Sequence, residues 1–569
     1  MMSPGAAACL VVEDRSNLPA RTGPGTLRHA SPCPPSQTRW VFPNQTVKFG
    51  RDPDKKKNHV VFQDPTVSRN HLEIYCVVVD DEQRHNPLVF VRDRQSSNGT
   101  FVNGQLVGRG PNVSSGWLLQ HGDLITVPPY IAIRFGQTPI DPPFFSLTSH
   151  QRQEALLFED RYVISDRTIG DGAHAVVYLA TEVKAGKQVV CKVHDLASVS
   201  WSPRKLQRIR QEAILLSYLD HPNILSFRAA FQTQQTLYIF TELATGGDLF
   251  SLMKKYNAFK EVEIRWIIRQ VLSGVVYIHG KGVAHRDIKP ENILCAIAPD
   301  AAYRVLLSDF GDSAMTSRGR MKSHVGTTFY RAPECHSPEI GHGLSVDIWA
   351  IGMLVLQLFT GMEEIPLLHT MNLNSQEAID KYLENVIHRL NLDDEISADG
   401  RQFLRDCLTY DKEERPTARQ LLKNRWLQEP NTDNALFKQL ETESIAPWIP
   451  RGVILPAIED LWLENVENAG VESPESTAAS DKVSPHFEHL GFEGNSSIQG
   501  CQQEPSPEPT AGANAKDHES PGEKGNTGRF MPLLHTMIRP TARKAKLGSR
   551  KRLDILHAGR PKRQRLYTM

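Results

Sequence analysis

Two short motifs constrain this chain more than any other stretch: HRDIKPEN at residues 285 to 292 and DFG at 309 to 311. Asp287 is a candidate general base, able to take the proton of an attacking hydroxyl, and Lys289 can neutralise charge on a phosphoryl group in transit. Asn292 and Asp309 offer hard oxygen ligands of the kind Mg²⁺ prefers. Either motif alone reads as ordinary solvated loop residues. Both together, in this order and at this spacing, point to phosphoryl transfer.

The residues before and after these motifs supply the rest of a nucleotide site. IGDGAHAVVYLA, 169 to 180, reads as strand, glycine turn, strand, and Gly170 and Gly172 let backbone amides approach phosphates closely. Ala175 occupies the third position of the usual G-x-G-x-x-G. VVCKV at 189 to 193 puts Lys192 on a strand, and Glu212 lies on the helical run RKLQRIRQEAILLSYL, where it can pair with that lysine. LYIFTELATGG, 237 to 247, is a buried strand running into a glycine-rich connector. MTSRGRMKSHVGTTFYRAPE, 315 to 334, has hydroxyls and bases but little apolar content, as suits a mobile loop.

At 569 residues and 40% hydrophobic content the chain has material for at least two cores. Its formal net charge of zero provides no global attraction to nucleic acid or membrane, so neither is expected as a direct partner. The eight cysteines are scattered, without C-x-x-C pairs or zinc-finger histidines, which points to a reducing compartment. AAACLVV at 6 to 12 follows no basic segment, and no stretch reaches the ~18 apolar residues of a membrane span, so a soluble, non-secreted protein is expected.

Taken in order, residues 1 to 38 read as a disordered leader rich in Pro, Gly, Ser and Arg. From 39 to 137, short β-branched runs such as TVKFG, HLEIYCVVV, LVFVRD and IAIRF alternate with turn residues, the pattern of an all-β sandwich. A Pro-containing linker, 138 to 161, leads to a second domain at 162 to 427, and a largely disordered tail follows from 428 to 569. Within the sandwich, Arg51, Ser68, Arg69 and Asn98 fall in inter-strand loops. Arginines and a hydroxyl converging at one end of a rigid scaffold suit a phosphate. His71 reads as a buried brace for its loop, Asn103-Gly104 as a hairpin turn, and Lys55 to Lys57 as a solvated charge run.

The loop motifs of residues 40 to 136 resemble a forkhead-associated (FHA) domain, which implies phosphothreonine-peptide binding, with phosphate contacts from Arg51, Ser68 and Arg69 and a peptide-backbone contact from Asn98. Residues 162 to 427 resemble a eukaryotic serine/threonine protein kinase, an α+β bilobal fold. The two-domain order is similar to the checkpoint kinase 2 class of DNA-damage effector kinases, with a meiotic or other paralogue, or a phosphopeptide-binding scaffold with a weak kinase, as the alternatives. The resemblance implies ATP and Mg²⁺ as cofactors and protein Ser/Thr as substrate. It makes Asp287, Lys289, Lys192 and Glu212 catalytic, and assigns Gly170, Gly172, Val177, Lys192, and the backbone of Glu242 and Ala244 to the nucleotide, with Thr241 as gatekeeper. Asn292 and Asp309 become the metal ligands. Thr327 would contact Asp287, and Glu334 would pair with Arg415. Ser323 is the candidate activation-loop phosphosite, its phosphate facing Arg286, and transient self-association would favour its phosphorylation in trans. Asp248 and Glu291 suggest a preference for a basic residue upstream of the target. The leader offers only Ser36-Gln37 where this class usually carries several such sites.

The end of the tail changes sign: RKAKLGSRKRLDILHAGRPKRQR, 543 to 565, has ten Lys or Arg against one Asp, as a bipartite nuclear import signal would. PLLHTM occurs at both 366 to 371 and 532 to 537, and RPTAR at both 415 to 419 and 539 to 543, for which we have no physical account.

Overall fold

The alternating apolar runs of the first part of the chain pair into two sheets packed face to face. In a computed structural model, the structure describes residues 5–14, 36–78, 85–111, 114–138, 145–171, 175–199, 202–256, 259–296, 304–315, 328–336, 343–361, 375–392, 394–428, 431–445 and 448–461. The sandwich strands are β1 (Ala8–Asp14), β2 (Ser36–Val41), β3 (Thr46–Gly50), β4 (Val60–Val61), β5 (Leu72–Val77), β6 (Leu88–Asp93), β7 (Thr100–Val102), β8 (Gln105–Gly108), β9 (Trp117–Leu118), β10 (Leu124–Val127) and β11 (Ile131–Gly136). One sheet has the order β2-β1-β11-β10-β7-β8, the other β4-β3-β5-β6-β9. Leu10, Val12, Phe49, Ile74, Val91, Ile125 and Ile133 meet between them.

Strand β1 lies inside what reads as a disordered leader. Ala8, Leu10 and Val12 alternate inward, and β1 pairs antiparallel with both β11 and β2. The period of two is present in the sequence, but the partner strand comes from residues 131–136, a pairing that no local pattern announces.

The expected linker is also structured. Thr148 caps α1 (Ser149–Ala155) in a reciprocal capping box with Gln151. Phe158 is fully buried, 4.8 Å from Phe231 and edge-on to Tyr238 and Phe240. Glu154, also buried, accepts hydrogen bonds from the Tyr238 hydroxyl at 2.8 Å and from Thr233. Residues 149–158 therefore cover the aromatic face of the next sheet rather than tether two independent bodies.

That sheet has the order β12-β13-β14-β16-β15-β21, from β12 (Tyr162–Asp171), β13 (Val176–Glu182), β14 (Lys187–Asp195), β15 (Phe227–Gln232), β16 (Thr236–Glu242) and β21 (Glu459–Asp460). With α2 (Leu196–Val199) and α3 (Pro203–Tyr218) it forms a small N-lobe. The C-lobe is built from α4 (Leu249–Tyr256), α5 (Glu261–Gly280), α6 (Ser345–Thr360), α7 (Gln376–Arg389), α8 (Ala398–Cys407), α9 (Ala418–Leu421), α10 (Arg425–Gln428) and α11 (Asn431–Ile445). Short strand pairs β17 (Val283–Ala284) with β20 (Ala314–Met315), and β18 (Ile293–Cys295) with β19 (Val305–Leu307), frame the loops between the lobes. Helix α6 is apolar almost all round, with Ile348, Trp349, Met353 and Leu356 in the core, as a helix buried inside a large lobe must be.

Helix α11 and residues 448–461 continue the fold past residue 427, within the segment expected to be a largely disordered tail. The basic segment at 543–565, Ser323, Thr327 and Gly172 lie outside the described residues. Among the described residues, no helix is long and apolar enough to cross a membrane.

The sandwich sits directly against the N-lobe and the inter-lobe connector. Tyr75, Val77, Leu88, Phe90 and Leu118 form one buried cluster with Leu179, and Ile169 and Leu243 pack against it. The Gln188 side chain exchanges two hydrogen bonds with the backbone of Leu118, at 2.7 and 2.9 Å. The Tyr75 hydroxyl donates to the Thr245 carbonyl at 3.2 Å, and His85 contacts Asp171 at 2.7 Å and Thr168 at 3.1 Å.

Candidate active site

Strand register and helix packing bring the dispersed motifs together. On β13, Val177 lies between Gly170 of β12 and Lys192 of β14, because it is the cross-strand partner of both. Helix α3 carries Glu212 on its buried face, and the Lys192 ammonium donates to both Glu212 oxygens, at 2.9 and 2.7 Å. Burial works to lower the Lys192 ammonium, but the Glu212 and Asp309 carboxylates outweigh it and hold it above its ordinary range. The lysine therefore stays charged, as a phosphate-gripping group must.

The catalytic loop is pinned from beneath by Asp347 at the start of α6. Its two oxygens accept the backbone N–H groups of His285 and Arg286, both at 2.8 Å, and one also meets His279 at 2.8 Å. Burial opposes its ionisation, yet the hydrogen bond and charge of His279 hold the carboxyl below the usual range. Arg286 has φ +72° and Asp309 φ +59°, left-handed conformations that cost on the order of 1–3 kcal/mol each in a non-glycine residue and persist only where the surroundings impose them. The strain fixes the direction in which Asp287 and Asp309 project.

Asp287 Oδ2 accepts from the Lys289 ammonium at 2.7 Å and from the Asn292 amide at 2.8 Å; the same amide donates to the Asp287 carbonyl at 2.8 Å. Since the Asn292 nitrogen is committed to Asp287, its amide oxygen is the atom left to face a cation. Burial raises the Asp309 carboxyl, but Lys192 overrides this and holds it below its ordinary value. Phe310 is fully buried against His285, ring centroids 4.8 Å apart. Asp309 is within electrostatic reach of both Lys192 and Asp287, which links the Lys192–Glu212 pair to the Asp287, Lys289 and Asn292 cluster. Asp347 and His285 belong to its support and were not singled out by sequence reasoning. The available signal was the buried acid opening the apolar run DIWAIG.

The connector after β16 is held by side chains the sequence reading left unassigned. Glu242 accepts from the Ser226 N–H at 2.8 Å and pairs with Arg304, so its carboxylate is structural. Thr241 is buried behind it, and Ala244 follows in the connector. Asp248 caps α4 by accepting the Ser251 N–H at 2.6 Å. Burial pushes both the Asp248 and Glu291 carboxyls up, and Asp248 raises Glu291 further. The expected Glu334–Arg415 pair is present and bidentate, at 2.8 and 3.2 Å.

On the sandwich, hydrogen bonds tie three loops into one end. The Arg51 N–H donates to the Ser68 carbonyl at 3.0 Å and its Nε to the Val67 carbonyl at 3.1 Å. The Ser97 N–H donates to the Ser68 hydroxyl at 2.9 Å, and the exposed Asn98 amide to the Thr66 carbonyl at 2.7 Å. Arg51 and Arg69 are exposed beside them. Only glycine fits before Arg51, because a Cβ on Gly50 would lie 2.2 Å from the Arg69 carbonyl oxygen. His71 is the buried brace expected: its Nδ1 accepts the Ser68 N–H at 3.0 Å, leaving Nε2 to donate to the Gly99 carbonyl at 3.2 Å. Asn103 and Gly104, both at positive φ, make the β7–β8 hairpin turn.

Comparison with known proteins matches two families to the chain. The protein kinase domain family matches residues 163–427, and the FHA domain family residues 47–128. The meiosis-specific serine/threonine-protein kinase mek1 of Schizosaccharomyces pombe is 31% identical over 394 residues, covering 67% of this chain and 81% of that protein. The serine/threonine-protein kinase cds1 of the same yeast is 30% identical over 394 residues, with 67% and 81% covered. The meiosis-specific kinase MEK1 of Saccharomyces cerevisiae is 28% identical over 431 residues, covering 69% and 82%.

Proposed function

The chain belongs to the serine/threonine protein kinases that carry an FHA domain, and we propose that it phosphorylates protein Ser/Thr hydroxyls with ATP, on partners its FHA domain gathers by their phosphothreonines, in meiotic or DNA-damage checkpoint signalling. One observation carries the kinase reading: the Lys192–Glu212 pair and the Lys289–Asp287–Asn292 cluster are each assembled at bonding distance, with Asp309 in electrostatic reach of both Lys192 and Asp287. Lys192 grips the nucleotide phosphates, and Gly170 near the end of β12 leaves room for them to approach the backbone. Asp287 receives the proton of the substrate hydroxyl as its oxygen attacks the γ-phosphorus, and Lys289 balances the charge of the phosphoryl group as its bond to the ADP oxygen breaks.

Asn292 and Asp309 would hold Mg²⁺, and both fit it: one presents a neutral amide oxygen, the other a carboxylate kept ionised by Lys192. A site with so few protein oxygens suits an ion that keeps water and phosphate oxygens in its shell. When bound, the metal neutralises phosphate charge.

Asp248 and Glu291 support a basophilic preference, because desolvation pushes both carboxyls up and Asp248 raises Glu291 further, and a cation bound beside them relieves both. Peptides with an arginine upstream of the target are expected to be phosphorylated with at least about tenfold higher kcat/KM, an increment of ~1.4 kcal/mol; equal rates for both peptide sets would dispose of the preference.

For the FHA domain, Arg51→Ala should weaken binding of a phosphothreonine peptide by about 10- to 100-fold, the worth of a charge-assisted hydrogen bond at ~1.5–3 kcal/mol. Turnover of a peptide lacking phosphothreonine should stay at the parental rate. Unchanged affinity by calorimetry would remove Arg51 from the phosphate site.

A further inference from the structure

Beyond α11 the chain returns from the C-lobe to the N-lobe. Helix α11 rests on the C-lobe, where Phe437 stacks on Trp266 at 5.7 Å. Residues 448–461 then run along the far end of α3 and the edge of the N-lobe sheet.

The last carbonyls of any helix lack intrahelical donors, and its C-terminus carries partial negative charge. On α3 the Leu215 carbonyl is taken by the Leu219 N–H at 3.1 Å. The same N–H reaches the Leu216 carbonyl at 3.3 Å, and a residue outside the expected kinase domain adds the further donors. Arg451 donates through Nη2 to the Leu216 and Leu219 carbonyls at 2.6 and 2.7 Å, and through Nη1 to Ser217 at 3.3 Å. The Ile454 N–H also donates to the Ser217 carbonyl, at 3.1 Å. Asp220, just past the helix, accepts the N–H groups of Arg451 and Gly452 at 2.9 and 2.8 Å.

The far end of the segment is equally anchored. Strand β21 extends the sheet by pairing parallel with β15, and the Leu461 N–H donates to the Gln232 carbonyl at 2.7 Å. Glu459 receives the Arg161 guanidinium bidentately, at 2.8 and 3.2 Å. Ile454 and Ile458 turn inward onto the main core.

The helix held in this way carries Glu212 about one turn before Leu216. Its N-terminal part is tied instead to the segment after DFG, through Arg208 to Asp312 at 3.2 Å and Gln211 to the Ser313 carbonyl at 2.5 Å. Besides its core packing, its Arg210 bond to Gln232 and the Tyr277 hydroxyl at Asp220, α3 is therefore held at its C-terminal end by residues 448–461. We infer that residues 448–461 are a clasp that completes the catalytic domain, and that Arg451 is a positioning residue for phosphoryl transfer, acting through α3 on the Lys192–Glu212 pair. The inference rests on the kinase reading for its catalytic consequence, and on the geometry alone for the hold on α3.

The test uses the full chain with Arg451→Ala, and with Asp220→Ala as a milder way to loosen the same clasp. At a temperature where melting curves show each variant folded, kcat should fall at least tenfold, and amides 215–219 should exchange at least tenfold faster. Because Arg451 acts through Glu212, Glu212→Gln should cost far less in the Arg451→Ala background than in the parent. Parental kcat, or losses that multiply independently, would overturn the positioning role. A parent chain without turnover would sink the kinase reading instead, and unchanged exchange at 215–219 would then by itself overturn the clasp. Should Arg451→Ala fail to fold, the same comparisons with Asp220→Ala decide.

Discussion

The Asp287→Asn enzyme is expected to bind nucleotide within about threefold of the parent and to turn over about 10²–10⁴-fold more slowly, the range for losing a positioned general base. The replacement is nearly isosteric, and its side-chain oxygen can still accept from Lys289 and Asn292, which hold Asp287 at 2.7 and 2.8 Å. What it cannot do is accept a proton from the attacking hydroxyl. A loss of 10³-fold corresponds to ~4 kcal/mol of transition-state stabilisation. The measurement is single-turnover phosphorylation at saturating nucleotide beside a separate nucleotide titration. Retention of more than a tenth of the parental rate would remove Asp287 from the chemistry.

Arg415→Ala should destabilise the catalytic domain by about 3–5 kcal/mol, the cost of stranding one partner of a buried ion pair. The Arg415 side chain has no exposed surface and that of Glu334 only 6%. Besides its fork on Glu334, Arg415 donates to the carbonyls of Ser345 at 2.9 Å and Thr409 at 3.0 Å, and lies over the Trp349 ring at 5.2 Å. One residue therefore ties the segment ending in Glu334 to the start of α6 and to the turn after α8. Lysine cannot reproduce the fork, so Arg415→Lys should recover only part of the loss. Replacing both partners with apolar residues, Arg415→Met with Glu334→Leu, should be less harmful than Arg415→Ala, since no buried charge is left alone. Urea transitions give the ordering. A single-mutant loss below 1 kcal/mol would show that the pair is dispensable.

Asp287, Lys289, Asn292, Asp309, Lys192 and Glu212 were legible because phosphoryl transfer demands particular residue types in a particular chain order, and a short motif carries both. His71 was legible as a brace because a histidine beside loop polar groups has a local partner, here the Ser68 N–H three residues away. The strand β1, the helix before β12 and the segment around Arg451 were not. Each is short or polar, and each is stabilised by partners more than 70 residues away: Gly136 for Cys9, Tyr238 for Glu154, and Leu216 for Arg451. Composition cannot distinguish such a segment from a solvated one, because burial is a property of what comes to lie against it.

Asp347 illustrates the same division inside the active site. Its place before an apolar helix is written in DIWAIG, but its hold on the His285 and Arg286 N–H groups needs α6 to pass beneath the catalytic loop. The amino-acid sequence thus determined the reaction class, the loop residues that cluster at one end of the sandwich and the helix and strand periodicities, all of which depend on side-chain chemistry and short-range spacing. Tertiary packing alone decided which segments outside the motifs join the folded core, which charges are buried and paired, and how the sandwich rests on the inter-lobe connector. Those outcomes depend on long-range hydrogen bonds and desolvation, which exist only once distant parts of the chain have closed on one another.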